Sequence, residues 1–201
     1  LKLWKTIADG DDPVAIILED DCVVSPGLVA LLGGEWIPAD AKIIKLETTG
    51  HQTQIGPEHP IGIDGRALAR LRKRHPGTSG LLLTRDAARS LLTRVHQFRD
   101  PVDQVLFNER SPVCRYLAPY QMTPAPIVQG ANHDGTRAQS WAESSIRILD
   151  GSAPGGSDAA LHPASGDGNH ARVPRRRHIR RRVRDTLRRA LGIEKIVVPF
   201  R

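Results

Sequence analysis

The chain has 201 residues, 29 Lys or Arg against 22 Asp or Glu for a formal charge of +7, 39% hydrophobic residues and two cysteines. That length suits one domain with a real core and leaves little room for a second, no apolar run approaches the roughly 18 residues that span a bilayer, and two cysteines make no disulfide framework. The charge is unevenly placed: residues 171–201 hold 12 basic and two acidic residues, net +10, which leaves residues 1–170 net acidic at −3. An acidic body with 4% aromatic residues and no recognisable nucleic-acid-binding signature argues against a nucleic-acid partner for the body and confines that option to the tail.

In chain order, Leu1 to Ile7 reads as the end of an amphipathic helix, as though the chain were the remainder of a longer protein, and the Ala8–Pro13 turn cluster stops it. Val14-Ala-Ile-Ile-Leu then runs into Glu19-Asp20-Asp21. A continuous apolar run predicts a strand buried on both faces, of the kind found in parallel sheets, with its acids at the carboxyl end where α/β sheets place their ligands. Alternation along the strand would aim Glu19 and Asp21 the same way, giving two hard oxygen ligands for a divalent cation; an acidic strand exit that only solvates the chain is the plain alternative. Cys22 is either a soft ligand beside these acids or a small buried hydrophobe.

Ser25-Pro26 predicts a helix through Leu32, with Ser25 as N-cap. Ala41 to Glu47 predicts a second buried strand, whose Lys45 and Glu47 share a face and could pair or reach a site. Residues 48–65 predict a long loop with an edge hairpin. Gly77-Thr78-Ser79-Gly80 is either a ligand-contacting turn or a plain tight one, and it leads into a short strand and a helix capped by Thr84 with Ala87, Ala88, Leu91 and Leu92 inward. Asp100-Pro101 predicts another helix, Cys114–Ala118 a strand, and Pro119–Gln129 an extended segment. Residues 150–170 have linker composition, and residues 175–191 form an Arg-rich amphipathic pattern with Ile179, Val183, Leu187 and Leu191 on one stripe. The alternation of strands and helices predicts an α/β sheet.

Five features in this order, Glu19-Asp20-Asp21, Lys45-Leu46-Glu47, Gly77-Thr78-Ser79-Gly80 before Thr84-Arg85-Asp86-Ala87-Ala88, Pro101-Val102-Asp103, and Pro126-Ile127-Val128-Gln129, closely resemble glycosyltransferase family 25 over about residues 1–148. The resemblance implies a GT-A-like, Rossmann-type α/β domain over residues 1–149; composition and periodicity add a flexible linker at 150–170 and a basic helical tail at 171–201. It implies an inverting, metal-dependent transferase that moves a hexose, with galactose expected, from a UDP-sugar to a lipopolysaccharide or other glycan acceptor. Family members place a further strand and an Arg-containing turn ahead of the helix at Leu1, so a donor pocket lacking them would be incomplete. A non-catalytic relative is the competing reading.

By the same resemblance, Asp21 and then Glu19 are expected to hold Mn²⁺ or Mg²⁺, and Glu19, Asp20, Gly77, Thr78, Ser79 and Gln129 to contact donor or acceptor. Asp103 is the expected general base; its ordinary alternative is an acid stabilising a helix N-terminus. The basic stripe of residues 175–191 suits an anionic membrane surface, which would make the protein cytoplasmic and peripheral at the inner membrane.

Overall fold

In the computed structural model, which describes residues 1–97, 99–133, 188 and 190–201, ten strands form two sheets. The strands are β1 (Val14–Leu18), β2 (Cys22–Val24), β3 (Ile43–Lys45), β4 (Glu47–Thr48), β5 (Gln52–Pro60), β6 (Ala67–Leu71), β7 (Gly80–Thr84), β8 (Tyr120–Thr123), β9 (Ile127–Gln129) and β10 (Glu194–Val197). The larger sheet runs β1-β7-β3-β8-β6-β5-β10, and the smaller runs β2-β9-β4. Three strands of the larger sheet continue into the smaller one, β1 into β2, β3 into β4 and β8 into β9. The connecting residues 19–21, 46 and 124–126 therefore lie along one seam between the sheets.

Alternation along the central strands sorts the core. Ile43, Leu81 and Leu83 face a layer of helices, while Ile44, Leu46 and Leu82 face the other way with Leu31, Trp36, Leu68 and Met122. The helical layer comprises α1 (Lys2–Asp9), α2 (Arg85–Arg94), α3 (Val102–Phe107) and α4 (Pro112–Leu117). Trp4 and Ala8 of α1 pack with Ala87, Ala88 and Leu91 of α2. The expected caps form where the sequence placed them: Gly27 N donates to Ser25 Oγ at 3.1 Å, opening a 3-10 helix over Pro26–Leu31, and Ala87 N donates to Thr84 Oγ1 at 3.2 Å.

Several expectations change. β1 is an edge strand, antiparallel to β7 and half-buried, although its two faces do serve both cores, Ile17 on one side and Val14 and Ile16 on the other. Parallel pairing occurs only between β3 and β8 and between β4 and β9 among the described strands, so the sheet is mixed. The segment 48–65 supplies β5 of a hairpin with β6, longer than expected. Residues 114–117, expected as a strand, lie in α4, because Ser111 and Pro112 repeat the Ser25-Pro26 start signal and Cys114 N donates to Ser111 Oγ at 3.4 Å. α3 begins after Pro101 rather than after Asp100.

The expected linker at 150–170 and nearly all of the basic stripe at 175–191, with its membrane-docking face, lie outside the described residues. The end of the expected helical tail is different: residues 194–197 form β10, antiparallel to β5. Val198 then inserts into the body at 1% exposure, and its carbonyl accepts from Thr48 Oγ1 at 2.5 Å. Ala125 exchanges backbone hydrogen bonds with Pro199 and Arg201, at 2.8 and 3.0 Å. Arg66, buried, donates to Pro124 O at 2.7 Å and to Arg201 O at 2.6 Å. The apolar end of the chain is thus a strap across the seam that carries Glu47 and β9. No helix among the described residues is long and apolar enough to cross a membrane.

Truncating Val198 to Ala removes two methyl groups from this strap's buried contact and is expected to lower unfolding free energy by about 2 kcal/mol, as read from urea midpoints. Val29→Ala, at a site 72% exposed, should stay within about 0.5 kcal/mol of wild type, and equal effects at the two positions would refute the strap's contribution.

Candidate functional site

The Pro76–Gly80 segment before β7 gathers the candidate acids. Glu19, just past β1, accepts from Thr78 Oγ1 at 2.5 Å and Ser79 Oγ at 3.0 Å, and its own N–H donates to Ser79 O at 3.1 Å. From α3, Asp103 Oδ2 accepts the Gly77 N–H at 3.4 Å and the Gln104 side-chain amide at 2.8 Å. Beneath the turn lies Glu47, paired with Lys45 at 2.5 Å and with both side chains wholly buried. The Lys45 ammonium also donates to Pro76 O at 3.0 Å and Gly77 O at 2.6 Å, and it stands 4.4 Å from the Phe107 ring centroid. Gly77 has φ +92°, and a β-carbon there would lie 2.7 Å from Glu47 Oε1. Only glycine fits both the conformation and the space.

Asp21 takes a separate route. A turn at Glu19–Cys22, with Cys22 N donating to Glu19 O at 3.4 Å, breaks the strand alternation, so Glu19 and Asp21 do not share a set of partners as the sequence suggested. Asp21 is exposed; its Oδ2 accepts from Gln129 Nε2 at 2.7 Å, and its carbonyl accepts from Gly130 N at 2.8 Å. β2 and β9 fix this contact by pairing Cys22 with Gln129. Asp20 is exposed beside it. Cys22 is half-buried against the core, and burial, then the Asp21 charge, pushes its thiol up.

Among the described residues no three His, Cys, Asp or Glu side chains gather into a ready-made metal cage. What is present is Asp21, exposed and bonded by Gln129, and Glu19, whose two oxygens accept from Thr78 and Ser79. Such a partial set fits Mg²⁺ or Mn²⁺, which commonly take one or two carboxylates and complete their shell with water and substrate phosphate. A cleft of about 510 Å³ lies between Leu1–Trp4, the end of β1 and α3, and Glu19 is the one candidate acid that lines it. Leu3, Trp4, Leu18, Val102 and Leu106 give it an apolar wall, and Glu19 and Thr78 supply its polar end.

Two residues of the site were missed by sequence reasoning. His75, fully buried, presents Nδ1 to Gln121 Oε1 at 2.8 Å and Nε2 to Thr49 Oγ1 at 3.1 Å, just before the turn. Gln121 Nε2 donates to Glu47 O at 3.1 Å and Met122 O at 2.9 Å, which makes its Oε1 the acceptor and puts the imidazole proton on Nδ1. Both looked ordinary in sequence: His75 ends a run of exposed Arg and Lys, and Gln121 carries no motif. Burial, and next the Lys45 cation, hold the His75 pKa down at about 3.

The sign of that shift fixes a pH dependence. The unfolded chain takes up a proton near pH 6.5 that folded His75 refuses until about 3, so this contribution is intact above 6.5 and is lost as pH falls toward 3, by up to about 1.4 kcal/mol per pH unit. Urea midpoints followed from pH 7 to pH 4 should fall more steeply for the wild type than for His75→Gln, whatever the variant's starting stability. Parallel slopes would show that His75 is not the titrating group.

The sequence profile of glycosyltransferase family 25 (LPS biosynthesis protein) matches residues 1–106. The chain is 28% identical to the lacto-N-neotetraose biosynthesis glycosyltransferase LgtB of Neisseria meningitidis serogroup A, over 98% of this chain and 74% of that protein. It is 30% identical to the serogroup B LgtB over 63% of this chain, and 28% identical to the LgtE glycosyltransferase of Neisseria gonorrhoeae over 46%. The match spans 50% of that LgtB and 35% of that LgtE.

Proposed function

Because the chain belongs to glycosyltransferase family 25, we propose that it moves a hexose, galactose by expectation, from a UDP-sugar to a lipopolysaccharide or other surface-glycan acceptor, with inversion at the anomeric carbon. The observation that carries this reading is the convergence of Glu19 and Asp103 on one turn beside an open cleft, with Asp21 exposed on the adjoining loop. Asp21, backed by Glu19, would hold Mn²⁺ or Mg²⁺. When bound, such a cation neutralises charge developing on a diphosphate leaving group. Gln129 orients Asp21 through its side-chain amide, and the Gly130 N–H anchors the backbone behind it.

Inversion by a single displacement needs a base at the acceptor hydroxyl. The hydroxyl oxygen bonds to the anomeric carbon as the bond to the diphosphate breaks, and the proton passes to a carboxylate. We assign that proton to Asp103. Its bonds from Gly77 and Gln104 both fall on Oδ2, which supports the reading by holding the carboxylate in place and leaving Oδ1 to take the proton. Thr78 and Ser79 have their hydroxyls turned to Glu19, so their contribution is to fix Glu19 at the polar end of the cleft.

Calorimetric titration of UDP-galactose and UDP-glucose, with and without Mn²⁺, tests the donor site. Binding should require the metal, favour the galactose nucleotide and vanish in Asp21→Ala; binding indifferent to both metal and substitution would overturn the assignment. Asp103→Asn should lower kcat by about 10²- to 10⁴-fold with donor affinity nearly unchanged. Full turnover in that variant would remove Asp103 from the chemistry.

A further inference from the structure

Nothing in the proposed chemistry requires a lysine–glutamate pair sealed beneath the site, and such pairs are a poor route to stability. Withdrawing two charges from water costs about as much as their attraction returns, and well-packed apolar replacements are often neutral or better. Yet Lys45 and Glu47 are 0% exposed, 2.5 Å apart, and placed where β3 crosses the seam into β4. Their contacts converge on the turn above. Lys45 takes the Pro76 and Gly77 carbonyls, and the Glu47 carboxylate occupies the space under Gly77 that any side chain would need. The same turn presents its Gly77 N–H to Asp103 and its Thr78 and Ser79 hydroxyls to Glu19. The Lys45 cation also lies in the electrostatic field of both Asp103 and Glu19.

We infer that Lys45 and Glu47 are a positioning pair, which fixes the 76–79 turn so that Asp103 on one side and Glu19 on the other keep the separation that transfer requires. This rests on the glycosyltransferase reading. The pair acts not on substrate or cation but through the backbone of Pro76 and Gly77. Burial pushes Lys45 down and Glu47 up, so removing one partner leaves the other buried without its counter-charge, and single substitutions would mix unfolding with mispositioning. Replacing both at once separates the two effects.

The test compares wild type with Lys45→Met/Glu47→Leu. The double variant should keep its melting temperature while the Gly77 and Glu19 amides, both bonded within the turn assembly, exchange with solvent about tenfold faster. Its kcat should fall about a hundredfold with little change in donor KM, since a small displacement of reacting groups is felt in turnover more than in binding. Unchanged amide exchange, or wild-type kcat in a folded double variant, would overturn the inference. Should the double variant fail to fold, Glu47→Asp serves instead: it keeps the charge but withdraws the carboxylate from Gly77, and it should show the same pattern in weaker form, with wild-type kcat and exchange again overturning the inference. A wild-type chain that turns over no sugar nucleotide would count against the glycosyltransferase reading, and the exchange comparison would still decide whether the pair fixes the turn.

Discussion

A carboxylate crowds the position that a β-carbon at Gly77 would take, 2.7 Å away. Gly77 leaves room for Glu47, Glu47 neutralises Lys45, and Lys45 gathers the carbonyls of the turn that Gly77 begins. This closed set of dependencies is local in space but spans β3, β4 and the entry to β7 in sequence. Asp103 and Glu19 attach to it from opposite sides, and His75 anchors its leading end through Gln121. Lys45 is satisfied by Glu47 and two carbonyls, whereas Glu47 Oε2 is buried without a hydrogen-bond partner, so the network is tightly shared but not complete. In such a network, removing one member exposes the desolvation cost of the rest.

The seam between the two sheets explains why these residues meet. β1, β3 and β8 each pass from the larger sheet to the smaller one, and each delivers polar residues at or beyond its crossing: Glu19 to Asp21, Glu47, and Gln129 at the end of β9. Gly80 permits the crossing by leaving its α-carbon bare against Ile127. Ligands of open α/β sheets gather beyond the carboxyl ends of strands, and the two successive acidic ends belong to that pattern. Mixed strand direction does not disturb it, because what matters is where the chain leaves the sheet.

Much of this was legible in sequence for identifiable reasons. Apolar periodicity located β1, β3 and the inner face of α2, and Ser25 and Thr84 announced their caps because a side-chain oxygen followed by helix formers has few other uses. The acids, the Gly77 turn and Asp103 were each singled out. Their mutual arrangement was not, since alternation predicts side-chain direction only while the chain stays extended, and the turn at Glu19–Cys22 ends that. α4 was misread because Cys, Tyr and Leu over Cys114–Leu117 look strand-like until Ser111-Pro112 is weighed. His75 and Gln121 were invisible because nothing local distinguishes a buried amide–imidazole pair from two surface residues.

The terminal strand rests on partners that all lie far from it in sequence: Thr48, residues 52–55 of β5, and Ala125. It therefore has no local template, and its place is set by a sheet edge that the rest of the body must first supply.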